Sequence, residues 1–195
     1  MKVLAVTGGI GSGKSYIVRI FNAIGIPSYD ADAEAKSLYS KRPEILQRVA
    51  QVAGGDIVRD GVLQKQVLAA RIFSDPSLLS EVEGIVHPAV LEDFIQWRAQ
   101  REREGADLVL LESAIVLEKP AFLGCYDKVL TIIAPLGLRI ERVMRRDCCT
   151  RDAALARIGS QASDSYRQKA SDFTIFASDS DALLPQIVKI IKIMK

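Results

Sequence analysis

Eight residues near the start of the chain have the types and the spacing of a phosphate-binding loop. The pattern G-x-x-x-x-G-K-[ST] is matched by Gly8-Gly9-Ile10-Gly11-Ser12-Gly13-Lys14-Ser15. The glycines let successive backbone N–H groups turn toward an anion, and a helix that begins here directs its positive end at the same anion. In such loops the lysine reaches the β- and γ-phosphates and the serine hydroxyl binds Mg²⁺. We therefore predict that the chain binds a nucleoside triphosphate, and we expect an exposed Lys14 that bonds only to the ligand.

The residues around this loop predict the strand and the helix that must position it. An apolar run over residues 3–7 precedes the loop, and apolar side chains recur at helical spacing after it, from Ile17 to Ile24. A second short strand, residues 26–29, leads into Asp30-Ala31-Asp32. Ligand chemistry gathers at the carboxyl ends of parallel strands, so both carboxylates are expected beside the triphosphate. We expect the first carboxylate to cap the next helix or bind an Mg²⁺-coordinated water, and the second to act in the reaction.

The next stretch, residues 43–87, has a different character. Helical patterns fill it, and no strand of useful length interrupts them. The breaks in these patterns are Gly54-Gly55, Asp60-Gly61 and Asp75-Pro76. We predict a helical insertion that grows out of the sheet, followed by a long helix that starts at Pro88.

The strands that complete the sheet come later in the chain. The apolar run of residues 107–112 predicts a strand that is buried on both faces, with Glu112 at its carboxyl end on the same edge as the phosphate loop. A further strand is predicted over residues 126–134. A short strand at residues 172–176 and a helix from about residue 182 close the chain.

A basic helix follows the strand at residues 126–134. Its start is predicted at Pro135, and three arginines share one face because they are spaced i, i+3 and i+7. They are Arg139, Arg142 and Arg146. An arginine face is commonly just solvated, but arginines that follow a phosphate loop also clamp the transferring phosphoryl group. We favour the second interpretation because the phosphate loop is complete.

The composition limits the class of protein. The 195 residues suffice for one core with small appended lobes, and the net charge of +2 gives no reason to expect a nucleic-acid or membrane partner. No apolar stretch reaches the roughly 18 residues of a membrane span, and the apolar run before the loop is too short for a signal peptide. Three cysteines without a C-x-x-C pair and a single histidine argue against a His/Cys metal site. These features favour the reducing cytoplasm.

Among phosphate-loop proteins, the sequence favours a small-molecule kinase. A GTPase needs an N-K-x-D motif and a D-x-x-G motif, but Asn22 is the only asparagine and no aspartate has a glycine three positions later. ATP-driven motors and repair ATPases generally have larger bodies. A helical insertion after the second strand and an arginine-rich segment after the fourth are typical of a kinase with an acceptor lobe and a lid.

The residues closely resemble the dephospho-coenzyme A kinase family over nearly the whole chain. The resemblance is carried by residues 7–15 and 30–32, Arg71-Ile72-Phe73, Ile85-Val86-His87-Pro88, Leu111-Glu112-Ser113, Arg142, Arg146-Asp147, Arg157-Ile158, Gln161 and Ser171-Asp172. It implies transfer of the γ-phosphate of ATP, with Mg²⁺, to the ribose 3′-hydroxyl of dephospho-CoA, the last step of coenzyme A synthesis.

The resemblance also implies the fold. We expect a three-layer α/β fold of the P-loop nucleotide-kinase type, with a five-stranded parallel sheet, a helical CoA-binding insertion and an arginine-rich lid. The core would comprise residues 1–34, 88–138 and 166–195, the insertion about residues 35–87 and the lid about residues 139–165. We expect a monomer or a weak homo-oligomer.

The family's functional residues have counterparts in this chain. By resemblance, the nucleotide is bound by Gly9, Ile10, Gly11, Ser12, Gly13, Lys14, Ser15, Tyr16 and Arg146. The acceptor is bound by Asp32, Arg71, His87 and Glu112. Catalysis is assigned to Asp32, as the base or orienter of the 3′-hydroxyl, with Lys14 and Arg142. The metal ligand is Ser15.

Three positions depart from the family pattern. Tyr16 replaces a small residue, Arg139 replaces a glutamine, and Ala177 replaces an asparagine near the adenine. Because base selectivity comes largely from polar groups that a wrong ligand leaves unpaired, the loss of that amide predicts relaxed base choice. Two other functions stay open. One is a kinase with a nucleoside, nucleotide or other small-molecule acceptor, and the other is a non-catalytic nucleotide sensor, against which the intact loop and Asp32 argue.

Overall fold

Helices and strands make up most of the chain. The computed structural model describes residues 1–119 and 121–195 in full, and the backbone of Pro120. In chain order the elements are β1 (Lys2–Gly8), α1 (Lys14–Ala23), β2 (Ser28–Asp30), α2 (Ala31–Lys41), α3 (Pro43–Ala53), β3 (Val58–Arg59), β4 (Val62–Leu63), α4 (Lys65–Ser74), α5 (Pro76–Arg103), β5 (Leu108–Glu112), β6 (Lys128–Ile133), α6 (Leu136–Asp147), α7 (Arg151–Gly159), α8 (Asp164–Ala170), β7 (Phe173–Phe176) and α9 (Leu183–Met194).

Over the described residues, five strands form one parallel sheet in the order β2-β5-β1-β6-β7. The strands are rich in valine, leucine and isoleucine, which fit a pleated and buried surface. β5 is buried along its whole length and β1 from its second residue onward, as expected of central parallel strands that are covered on both faces. The predicted five-stranded parallel sheet is confirmed.

The register of β2, β5 and β1 sets the position of the site. Asp30 at the end of β2 lies beside Glu112 at the end of β5, and Glu112 lies beside Val6 of β1. β1 continues to Gly8, where the phosphate loop begins. The parallel sheet therefore brings Glu112 and the start of the loop to the same edge.

One face of the sheet is covered by α1 and α9. Phe21 of α1 and Ile187 of α9 are fully buried there. The same cluster contains Leu4, Val6, Ile17, Val18, Ile26, Leu108, Leu110, Leu130, Ile132, Ile175, Ala177, Ile190 and Met194. Because full burial of one large apolar side chain stabilises by about 1.5–3 kcal/mol, this cluster firmly anchors the helix that begins at the phosphate loop.

The chain divides into two compact units. The first comprises Met1–Asp30 and Arg98–Lys195 and contains the five-stranded sheet, and the second comprises Ala31–Trp97. The junctions fall directly after β2 and inside α5. The finer division into core, insertion and lid stays a prediction. In the described part of either unit, no helix combines the length and the apolar character that a bilayer span requires.

The second unit is helical apart from a short hairpin of β3 and β4. The two residues between these strands, Asp60 and Gly61, have positive φ angles of 51° and 74°. This is the backbone of a tight hairpin turn, and Asp-Gly is a favoured sequence for it. The predicted break at this dipeptide is therefore a hairpin turn within the helical insertion.

The prediction that a helix starts at Pro88 is wrong. α5 begins at Pro76 and passes through Pro88. A proline inside a helix removes one backbone hydrogen bond, and its ring crowds the preceding turn. Buried apolar residues lie on both sides of the proline, among them Val82, Val86 and Phe94. Their packing outweighs the local cost, so the helix continues.

The helices α6, α7 and α8 connect β6 to β7. Cys148 ends α6 with a left-handed φ of 49°. The hydroxyls of Thr150 and Ser163 cap α7 and α8 by accepting hydrogen bonds from the N–H groups of Ala153 and Tyr166. The buried apolar residues that join α6 to α7 are Ile140, Val143 and Ala154.

Candidate active site

The phosphate loop joins the end of β1 to the start of α1. Gly11 and Gly13 adopt φ angles of 78° and 94°, which residues with a side chain rarely adopt. The first N–H groups of a helix have no partner within it, and Gly13 at the N-cap of α1 has no side chain to satisfy them. An anion placed here would accept these hydrogen bonds and meet the positive end of the helix dipole. The geometry fits a phosphate cradle.

Lys14 and Ser15 converge on one carboxylate oxygen. Lys14 Nζ lies 2.5 Å from Glu112 Oε1, and Ser15 Oγ lies 2.8 Å from the same atom. The side chains of Lys14 and Glu112 are only 14% and 5% exposed. The expectation that Lys14 is exposed and bonds only to the ligand is therefore wrong, because β5 delivers a carboxylate to the loop. The lysine expected to bind the triphosphate and the serine expected to bind its metal thus contact the same carboxylate oxygen.

The outer side of the loop is held by side chains from later in the chain. Within the loop, Ser12 N–H donates to the Gly9 carbonyl at 3.0 Å. Ile10 N–H donates to Gln161 Oε1 at 2.6 Å, and the Ile10 carbonyl accepts from Arg139 Nε at 2.9 Å. Gln161 was not predicted as a site residue, and Arg139 was predicted to clamp phosphate, not to hold the loop.

The other two arginines expected to bind phosphate have different surroundings. Arg142 lies against the loop, where its Nη1 donates to the carbonyls of Gly11 and Ser12 at 3.3 and 3.2 Å. Arg146 is exposed and donates to Asp147 from Nε and Nη2 at 2.7 and 3.1 Å. The hydrogen bonds from Arg146 hold the pKa of Asp147 below its ordinary value. Arg142 contacts the loop, whereas Arg146 is paired with Asp147.

Two oxygen-bearing groups at the loop suit a hard cation. Ser15 Oγ and the Glu112 carboxylate lie together, and Mg²⁺ prefers oxygen ligands. Among the described residues, no group of three or more His, Cys, Asp and Glu side chains could hold a metal. Mg²⁺ keeps several waters and binds one or two carboxylates together with substrate phosphates. The Ser15 hydroxyl and the Glu112 carboxylate could therefore serve as oxygen ligands of Mg²⁺.

A cavity of about 360 Å³ opens where β6 and β7 end. Its lining residues are Ile133, Ala134, Pro135, Phe176, Ala177, Ser178 and Asp181. Arg142 links the cavity to the phosphate loop, because its Nη2 lies 3.5 Å from the Ala177 carbonyl while its Nη1 contacts the loop. Ser178 donates to Asp181 Oδ2 from its N–H and its hydroxyl, and the hydroxyl in particular lowers the pKa of Asp181.

Known proteins that resemble the chain point to one family. The profile of the dephospho-CoA kinase family matches residues 2–182. A dephospho-CoA kinase of Porphyromonas gingivalis is 39% identical over 196 residues, which cover 100% of this chain and 95% of that protein. The chain belongs to the dephospho-CoA kinase family. The resemblance stated from the sequence is confirmed, and family membership makes the chain a kinase.

Solved structures agree with the family and with the fold. A crystal structure of a Thermus thermophilus protein is 31% identical, has a TM-score of 0.85, and covers 98% of this chain and 96% of its own. A dephospho-CoA kinase from Campylobacter jejuni is 25% identical, has a TM-score of 0.70 and covers the same shares. The predicted α/β fold of the nucleotide-kinase type is confirmed.

Three residues predicted to bind the acceptor of this family lie in the second unit. Asp32 is in the first turn of α2, Arg71 is in the last turn of α4, and His87 is in α5. The guanidinium of Arg71 donates to the carbonyl of Ala53 and to the carboxylate of Asp56, which ties α4 to the end of α3. Their roles toward an acceptor stay predictions.

The departures from the family pattern occupy distinct environments. Tyr16 is 55% exposed, and the Arg19 guanidinium lies 5.8 Å from the centre of its ring. Ala177 is buried and extends the pairing of β7 with β6 through its N–H, which donates to the Ile133 carbonyl at 2.8 Å. Arg139 is buried at the phosphate loop. Only its position on the arginine face of α6 hinted at this contact in the sequence.

Proposed function

We propose that this chain transfers the γ-phosphate of ATP to the 3′-hydroxyl of dephospho-CoA, giving CoA and ADP. The observation that carries the proposal is the convergence of Lys14 and Ser15 on Glu112 beside the phosphate loop. It places a cation and two oxygen donors where the β- and γ-phosphates of a nucleotide would arrive. The match to dephospho-CoA kinases over almost the whole chain supports the choice of acceptor.

The residues at the loop would act mainly through charge and position. Phosphoryl transfer needs in-line alignment and neutralisation of charge more than covalent help from the protein. Lys14 would exchange Glu112 for the phosphate oxygens, and the N–H groups at the start of α1 would donate to them. Arg142 contacts its carbonyl partners at 3.2 and 3.3 Å. It would exchange these long bonds for charge-assisted ones to the transferring group.

Ser15 and Glu112 would hold Mg²⁺ beside the nucleotide. The Ser15 hydroxyl would bind directly, and the Glu112 carboxylate would bind directly or through a coordinated water. When bound, the ion neutralises charge that develops on the phosphate oxygens. Glu112 was predicted to bind the acceptor, and its contacts with Lys14 and Ser15 add a nucleotide-side role to that prediction.

The second unit would bind the acceptor. Asp32, two residues after β2, is our candidate for the group that orients or deprotonates the 3′-hydroxyl, because a carboxylate within hydrogen-bond reach of an attacking hydroxyl serves as a base. Arg71 suits the diphosphate of dephospho-CoA, since guanidinium groups pair well with phosphate. His87 would complete the acceptor residues, and Arg146 would join Arg142 on the lid.

The remaining predictions concern the base and the setting of the protein. The cavity at the ends of β6 and β7 would receive the adenine, because Arg142 connects it to the phosphate loop. Cys125, Cys148 and Cys149 are free thiols, which suits a reducing cytoplasm. A monomer or weak homo-oligomer, and the lack of a nucleic-acid or membrane partner, stay predictions.

An ADP-release assay with a panel of acceptors tests the proposed function. Dephospho-CoA, adenosine, AMP and shikimate are offered separately with ATP and Mg²⁺, and a Lys14→Ala preparation serves as the inactive control. Of the four acceptors, we expect only dephospho-CoA to raise the rate of ADP release above the rate measured without an acceptor. Faster release with adenosine, AMP or shikimate would reassign the chain to another small-molecule kinase. Nucleotide binding without release for any acceptor would favour a nucleotide sensor.

A further inference from the structure

Both backbone polar groups of one phosphate-loop residue are satisfied by side chains from outside the loop. Ile10 N–H donates to Gln161 Oε1 at 2.6 Å, and the Ile10 carbonyl accepts from Arg139 Nε at 2.9 Å. Arg139 lies in α6 and Gln161 lies between α7 and α8. In sheets and helices, backbone N–H and carbonyl groups are hydrogen-bonded to other backbone groups. Here two side chains supply the partners, so the conformation of the loop depends on the α6–α8 segment.

Arg139 is built into the structure and is not directed at a ligand. It is 5% exposed, and its Nη1 pairs with Asp164 Oδ2 at 2.7 Å. A Cβ on Gly9 would collide with the Arg139 guanidinium, and one on Gly11 would collide with the Arg139 backbone. The glycines therefore pack directly against this residue. Because Asp164 offsets its charge and Nε and Nη1 already donate, Arg139 is poorly placed to bind phosphate.

Arg142, one turn further along α6, has a different character. Its side chain is 28% exposed, and its nearest carboxylate, on the exposed Asp179, is 4.0 Å away. Its bonds to the carbonyls of Gly11 and Ser12 are long, at 3.3 and 3.2 Å. Arg142 is able to turn toward a phosphate, whereas Arg139 is held in place. Two arginines on one helix face therefore have different roles.

We infer that Arg139, Asp164 and Gln161 form a brace that positions the phosphate loop for the nucleotide, with Arg139 as a positioning residue. The inference rests on the proposed function in taking an adenine nucleotide as the ligand of the loop. A glycine-rich loop has much conformational freedom to lose when it closes on an anion. A brace that fixes Ile10 and packs against Gly9 and Gly11 removes part of that freedom before binding. Loss of the brace should therefore weaken nucleotide affinity.

The test uses pairs of variants that are similar in size and differ in hydrogen bonding. Arg139→Gln keeps a donor for the Ile10 carbonyl, and Arg139→Met removes it. Gln161→Glu keeps an acceptor for the Ile10 N–H, and Gln161→Met removes it. Arg145→Met, on the exposed side of α6, is the control outside the brace. The measurements are the Kd for ADP by calorimetry and the exchange rate of the Ile10 amide hydrogen.

We expect the two Met variants to bind ADP about tenfold more weakly, because each loses one hydrogen bond to the loop. Gln161→Met should also speed exchange of the Ile10 amide hydrogen. The variants Arg139→Gln, Gln161→Glu and Arg145→Met should bind ADP with an affinity within about twofold of that of the unmodified chain. If Arg139→Met does not fold, Gln161→Met carries the test, because it removes the acceptor for the Ile10 N–H and leaves Arg139 and Asp164 in place.

Unchanged ADP affinity in the Met variants, with only a lower melting temperature, would overturn the inference by making the contacts merely structural. Equal weakening within each pair would do the same. ADP binding needs no acceptor, so an incorrect acceptor assignment would leave these results interpretable. Absence of ADP binding by the unmodified chain would overturn both proposals together.

Discussion

Lys14 and Glu112 form an ion pair of 2.5 Å beside the phosphate loop. The pair sets a condition on ligand binding, because nucleotide phosphates must compete with a carboxylate for the same ammonium group. If a cation bound at Ser15, Glu112 would gain a new partner when Lys14 turns to the phosphates, and the competition would be relieved. Binding of the nucleotide and binding of Mg²⁺ should therefore be coupled.

Substitution of Glu112 by Gln tests this coupling. The variant removes the negative charge that competes with phosphate, so metal-free ADP should bind about tenfold more tightly, while the gain in affinity on adding Mg²⁺ should shrink by a similar factor. Calorimetric titration of ADP with and without Mg²⁺ measures both quantities. Glu141→Gln, on the exposed face of α6, is the matched control and should behave as the unmodified chain. Equal Mg²⁺ dependence in Glu112→Gln and the unmodified chain would contradict the coupling.

Lys14→Ala should affect both stability and turnover. Within the described part of the chain, the buried Glu112 carboxylate would keep only Ser15 as a hydrogen-bond partner. We therefore expect the free energy of unfolding to fall by about 1–3 kcal/mol while the chain remains folded. Turnover should be lost because the β- and γ-phosphates lose their cation. Urea unfolding and ADP release, measured on the same preparation, check the two effects.

The control for that variant removes both charges. Lys14→Ala combined with Glu112→Gln should recover part of the stability and none of the turnover, because the buried charge is removed together with its partner. A fall in activity of less than about tenfold in Lys14→Ala would contradict the assignment of the loop, since charge on a transferring group is costly to leave unmatched.

Local features of the structure could be predicted from the sequence, whereas contacts between distant parts of the chain could not. The phosphate loop and the strand that ends at Glu112 could be predicted because each depends on a contiguous pattern. The contact of Glu112 with Lys14 could not, because it requires the strand order that places β5 beside β1. The helix start predicted at Pro88 failed because packing on both sides of the proline outweighs its local preference.

The contacts of Arg139 show the same limit at the level of one side chain. Spacing in α6 placed Arg139 and Arg142 on one face, and the basic face suggested phosphate for both. Only the fold shows that Asp164 pairs with Arg139, and that Gly9 lies against its guanidinium. An arginine that is paired inside the fold and an arginine that binds a ligand can occupy equivalent positions in a sequence pattern. Their partners distinguish them.

Asp32→Asn tests the proposed base. The substitution keeps the shape and removes the charge and the basicity, so kcat should fall by roughly 10²–10⁴-fold with little change in KM for either substrate. Asp30→Asn is the matched control and should lower kcat less. If Asp32 only stabilises the first turn of α2, the variant should lose up to about 1 kcal/mol of stability and keep its turnover. The melting temperature and kcat of one preparation separate the two accounts.

The choice of nucleotide base should be relaxed. The cavity beside the loop is lined mainly by apolar residues, and Ala177 offers no side-chain amide there. We expect kcat/KM for GTP or CTP to lie within about tenfold of that for ATP, because few polar groups are left unpaired by the wrong base. Ala177→Asn should shift the preference toward ATP. A preference for ATP of about a thousandfold in the unmodified chain would show that other groups read the base.

The position of the new phosphate in the product tests the central claim most directly. The purified chain is incubated with ATP, Mg²⁺ and dephospho-CoA, and the product is analysed by mass spectrometry and phosphorus NMR, with Lys14→Ala as the inactive control. We predict one added phosphoryl group, with its phosphorus coupled to the ribose 3′ proton, and comigration of the product with authentic CoA. Unchanged dephospho-CoA, or a phosphate on any other hydroxyl, would contradict the proposed function.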